Sequence, residues 1–114
     1  MSADFDMGRI AELEEVMGTD ARTIVASMLA SMTSAIDEVE TALAAGHLDR
    51  VTQAAHRCRN DALMLGARQL QESLTAIEAA TRDHDTLRAR KALTRLRAVW
   101  PSTREQLAEA SRPQ

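Results

Sequence analysis

His56 stands in the run Ala54-Ala55-His56-Arg57-Cys58-Arg59-Asn60, on the flank of a helical apolar stripe. Imidazole titrates near neutral pH, so its neutral form is a nucleophile at pH 7 without an elaborate base. Taking about 100° per residue with His56 at zero, the apolar seam of its helix centres roughly 130° away. His56 is therefore outside the core but close to its edge. Thr52, Arg59, Asn60 and Leu63 fall within about 60° of it, a patch with a titratable ring, a cation, an amide and a leucine useless to the core. Further along, Glu78 lies about 60° from the seam centre of the next amphipathic stretch, a flank position where a carboxylate needs a partner. The facing imidazole offers one. An incidental surface histidine remains the alternative on periodicity alone. His47 and His84 fall in connections and share no metal-ligand spacing with His56 or each other. Nucleophile triads, glycine-rich phosphate loops and paired-carboxylate motifs are absent.

These residues need helices to hold them, and the composition supplies little else. Of 114 residues, 45% are apolar but only 2% aromatic, with no Tyr and four Gly, so strong helix formers dominate and strand formers are scarce. The length suits one domain with one core, expected over residues 1–110 with a frayed end at 111–114. A net charge of −3, with both signs interspersed, indicates neither a nucleic-acid surface nor an acidic tail. The modest basic cluster between Arg82 and Arg97 has no aromatic to stack bases, and reads as a solvated helix face. The single Cys58 falls on a seam and reads as an inert buried thiol. No apolar run approaches the ~18 residues of a membrane span, and the start lacks signal-peptide character. A cytoplasmic protein is expected.

Punctuation by Gly, Pro and Asx/Ser cuts the chain into five helical stretches. The first runs from about Asp6 to Val16, with Ile10, Leu13 and Met17 on one side. Thr19 or Asp20 caps the second, whose apolar positions are Ile24, Val25, Met28, Leu29, Met32, Ile36, Val39 and Leu43, and Gly46 ends it. The third carries Leu48, Val51, Ala55, Cys58, Ala62 and Leu65 at intervals of 3, 4, 3, 4 and 3, closed by Gly66. The fourth uses Ala67, Leu70, Leu74 and Ile77 and ends near Arg82–Asp85. The fifth uses Leu87, Ala89, Leu93, Leu96 and Trp100, and Pro101 predicts a kink or break, with a restart at Ser102 around Leu107. Short connections between long amphipathic helices predict an all-α, antiparallel up-down four-helix bundle with a short N-terminal helix as a lid.

The run from Ala54 to Arg59, Leu65-Gly66-Ala67, Leu70, Leu74 and Ile77-Glu78, with the turn Ala44-Ala45-Gly46-His47-Leu48-Asp49 before them, resembles histidine-containing phosphotransfer (HPt) domains. The likeness extends from Met17-Gly18 through the fifth stretch. It implies a free-standing phosphorelay protein that accepts a phosphoryl group on His56 from a receiver-domain aspartate and passes it to a response regulator. Arg59 would be the counter-charge for the phosphoryl group, and Glu78 would hydrogen-bond the ring. Thr52, Leu63 and Arg57 are the expected docking residues. The implied partners are the receiver domain of a hybrid histidine kinase and a response regulator, with no nucleic acid and no membrane, and the protein itself is a monomer. No cofactor of its own is implied, because the partner receiver brings Mg²⁺ and with it the catalysis. The family prefers Gly four residues after its histidine; here Asn60 either obstructs docking or donates to a phosphoryl oxygen. A small residue usually follows, where this chain has Asp61. The alternatives are a degenerate HPt-like protein that binds receivers without efficient transfer, and a helical adaptor.

Overall fold

The computed structural model describes residues 7–18 and 20–112; Asp6, Thr19, residues 113–114 and the side chains of Ile10 and Met17 lie outside the described residues. Five helices make up nearly all of it: α1 (Met7–Met17), α2 (Asp20–Ala45), α3 (Leu48–Leu65), α4 (Arg68–Arg82) and α5 (Thr86–Ser111). No strand occurs among the described residues.

The helix ends are built by one device used three times. Gly46 and Gly66 take φ of 78° and 68°, the left-handed region that costs glycine nothing. That turn lets Gly46 N–H donate to the Leu43 carbonyl (3.1 Å) and His47 N–H to Ala42 (2.9 Å). Gly66 N–H and Ala67 N–H close α3 in the same way on Leu63 (3.1 Å) and Ala62 (2.9 Å). The third stop lacks a glycine. His84 adopts φ 55°, its N–H donates to Thr81 (3.1 Å), and Asp85 N–H donates to Ala80 (2.8 Å). Asp85 then caps α5, its carboxylate accepting from the Arg88 N–H at 3.0 Å.

The four longer helices pack in a ring, α2 on α3, α3 on α4, α4 on α5 and α5 on α2, while α1 lies on α2 and α3. α3 thus meets three neighbours, and its inner residues Ala54, Ala55, Cys58 and Ala62 are small and fully buried. Small side chains let neighbouring backbones come close without a void. The expected seams are buried, with Met32, Leu65, Leu70, Leu74, Ile77 and Leu96 among the largest fully enclosed side chains. Ile24, Leu29 and Leu48 are partly buried at the margin.

Two expectations are corrected. Leu87 is 64% exposed. Its position is about 150° around the helix from the line through Ala89, Leu93, Leu96 and Trp100, so it faces away from the core. Pro101 does not break the fifth helix, which runs unbroken to Ser111 with Pro101 inside it. The ring removes one backbone donor, but Trp100, Thr103 and Leu107 on either side are all buried and hold the path. No helix among the described residues is long and apolar enough to cross a membrane.

Candidate functional site

α3 presents His56 beside Glu78 of α4. Glu78 is the last-but-four residue of its helix and only 3% exposed, whereas half of the His56 side chain faces solvent. His56 Nδ1 lies 3.0 Å from Glu78 Oε1. The flank position expected for Glu78 and the edge position expected for His56 therefore meet.

A buried carboxylate is costly unless charge and hydrogen bonds compensate it. Two guanidiniums do so here. Arg59 places Nε against Glu78 Oε2, in ion-pair contact but without the alignment of a hydrogen bond. Its Nη2 sits 2.9 Å from His56 Nδ1. Arg82, one turn after Glu78 on α4, brings Nη2 to 3.5 Å from Oε1. Sequence reasoning missed Arg82, although its i, i+4 spacing from Glu78 was the available signal.

One turn away a second link joins the helices. Thr52 Oγ1 and Thr81 Oγ1 are 2.7 Å apart, and each also lies within hydrogen-bonding distance of carbonyls in its own helix, Leu48 for Thr52 and Ile77 and Glu78 for Thr81. Each hydroxyl has one proton, so one threonine donates across the gap and the other to its own helix. Thr52, expected on the docking surface, is half-buried and engaged with α4.

The remaining candidates separate. Asn60 and Leu63 are exposed on the histidine's side of α3, Leu63 to 52%. Met64 beside it is 58% exposed and was not anticipated. Arg57 is exposed, but its charge acts on Asp61 and Cys58. Asp61 turns to α2, where Ser31 hydrogen-bonds its carboxyl; burial nevertheless raises its pKa, against the opposing effects of Ser31 and Arg57. Burial, reinforced by the Asp61 charge, pushes the Cys58 thiol up to about 12. Such a thiol carries almost no thiolate at neutral pH and is inert. Among the described residues no three His, Cys, Asp or Glu side chains group as metal ligands.

An exposed imidazole fixed at one nitrogen, with cations alongside, can carry an anionic group on its other nitrogen. No curated protein and no solved structure matches the chain. The family model of the Hpt domain matches residues 23–110, spanning α3 and α4 whole with the histidine and its carboxylate partner, so the chain belongs to the Hpt domain family of phosphorelay signalling proteins.

Proposed function

We propose that His56 accepts a phosphoryl group from the aspartyl phosphate of a receiver domain and passes it to the aspartate of a response regulator. The observation that carries this is the contact of His56 Nδ1 with the buried Glu78 on a ring half open to solvent. With Nδ1–H donating to Glu78, Nε2 keeps the lone pair on the open side of the ring. That lone pair attacks phosphorus, the Nε2–P bond forms, and the P–O bond to the donor aspartate breaks, its carboxylate leaving with the electron pair. The ring becomes a phosphoimidazolium whose Nδ1–H remains on Glu78. Transfer onward is the same step in reverse, towards a different aspartate.

Arg59 and Arg82 balance the negative phosphoryl group from the flank of the ring. Thr52 and Thr81 keep α3 and α4 in register beneath it. Leu63 and Asn60 form the surface a receiver meets, with Arg57 at its edge. Mg²⁺ and the acidic cluster that binds it belong to the receiver, so catalysis arises in the complex.

The same proposal covers the arrangement of the helices as an alternating up-down bundle, forming one domain over residues 1–110. Its support is the ring of contacts, the short connections, and the pairing of His56 with Glu78 and of Thr52 with Thr81, which runs in opposite directions along the two helices. A monomer acting in the cytoplasm fits this role. A receiver-binding protein that transfers poorly is the second reading, favoured by one observation: Asn60, exposed on the same face as His56.

Incubation with a phosphorylated hybrid-kinase receiver tests the proposal. An acid-labile, base-stable phosphoryl group is expected on the wild type and absent from His56→Gln, with helicity retained. Label persisting in that variant would remove His56 from the role.

A further inference from the structure

His56 Nδ1 has two neighbours that ask opposite things of it. Glu78 Oε1, at 3.0 Å, only accepts a hydrogen bond. Arg59 Nη2, at 2.9 Å, only donates one. A neutral imidazole nitrogen carries either a proton or a lone pair, so one nitrogen cannot serve both at once. Each contact therefore selects a tautomer. Donation to Glu78 requires Nδ1–H and leaves the lone pair on Nε2. Acceptance from Arg59 requires the lone pair on Nδ1 and puts the proton on Nε2.

We propose that Arg59 is a positioning residue that latches the His56 tautomer: seated on Nδ1 it holds the ring in the unreactive Nε2–H form, and its departure gives Nδ1–H to Glu78 and bares Nε2 for attack. This rests on His56 as the phosphoacceptor. An incoming phosphoryl group offers Arg59 stronger acceptors than a neutral nitrogen, because hydrogen bonds between ionised partners are the stronger kind. The donor's own charge thus draws off the latch, and the nucleophile is uncovered when a substrate is at hand.

The same choice operates after transfer. Once Nε2 is bonded to phosphorus, loss of the Nδ1 proton to solvent leaves a neutral ring with a lone pair on Nδ1. That form has nothing to donate to Glu78, while Arg59 stays on the phosphoryl oxygens, the stronger acceptors. The partner form, protonated at Nδ1, donates to Glu78 and has the better leaving group, because the ring departs as neutral imidazole instead of as an anion. The form protonated at Nδ1 is therefore the reactive one in both directions, as microscopic reversibility requires of one shared transition state.

Long-range ¹H–¹⁵N correlation spectra of the ¹⁵N-labelled full chain report which His56 nitrogen carries the proton, at a pH where its shifts no longer change. The wild type is expected to show a substantial Nε2–H population. Arg59→Met, which keeps the aliphatic stem, should shift the ratio towards Nδ1–H by about tenfold or more, the effect of losing one hydrogen bond from a charged donor. Glu78→Gln, close in shape but a weaker acceptor, should shift it the opposite way. A structural role for Arg59 alone would not give opposite signs. A wild-type ring already wholly in the Nδ1–H form, or a ratio unmoved in Arg59→Met, overturns the latch; the wild-type spectrum decides alone if that variant does not fold. Neither result touches the assignment of His56 as phosphoacceptor, which the labelling experiment decides separately.

Discussion

Asn60 is exposed about 40° around α3 from His56 and one turn further on, where a docking receiver must pass. If its side chain only obstructs, Asn60→Gly lets the partner's backbone closer and shortens the distance of attack. Misplacement of about 1 Å can cost on the order of a hundredfold in rate. Faster single-turnover transfer is therefore expected, despite a helix penalty of roughly 0.5–1 kcal/mol for glycine. A glycine variant slower than wild type, with fold and receiver affinity unchanged, would show that the amide donates to the phosphoryl group instead. The pairing of His56 with Glu78 was legible in the sequence, because helical angle alone puts both at the edge of facing seams. The approach of Arg59 to Nδ1 was not. Periodicity locates the root of a long side chain, but its tip follows from rotamers and from the charge of a buried carboxylate that needs neutralising.

α5 shows where a local rule yields to packing. Proline inside a helix removes one backbone bond and crowds the preceding turn, at about 3 kcal/mol relative to alanine. The sequence therefore pointed to a kink or break at Pro101, and the helix is not broken there. Burial of Trp100, Thr103 and Leu107 outweighs that local cost, since a break would expose apolar surface on both sides of it. Leu87 fails for the converse reason: it is apolar and lies at the start of the helix, yet its angle points it outward. Pro101→Ala restores the missing donor at an exposed position. It should stabilise the protein by about 1–3 kcal/mol, less than the full helix difference because proline also restricts the unfolded chain. Chemical denaturation measures this directly. A loss of stability would mean that the geometry imposed by the ring is what lets Trp100 and Leu107 reach the core together.

At the scale of the whole molecule, Cys58 reports on the bundle, because α1, α2 and α4 all pack on the helix that carries it. Its burial was legible from the intervals of the third stretch, whereas the effect of the nearby Asp61 charge, which adds to the shift, was not. The thiol's pKa rises from 9.0 to about 12 on folding. A group raised on folding contributes stability that is fully present below its unfolded pKa and is lost as pH climbs towards the folded value. Here that window lies between pH 9 and 12. Above its lower edge the unfolded chain releases a proton that the native thiol keeps, so stability should fall by roughly 1.4 kcal/mol per pH unit. The composition makes the measurement clean: the chain has no Tyr, and every other ionisable group is shared with a Cys58→Ala variant. That variant starts less stable through lost packing, but its stability should decline less steeply over the same range. Urea titrations of the two proteins at pH 8 to 11 compare the slopes. Equal slopes would mean that the native thiol ionises as readily as the unfolded one, and that α3 is open to water in a way its packed neighbours do not allow.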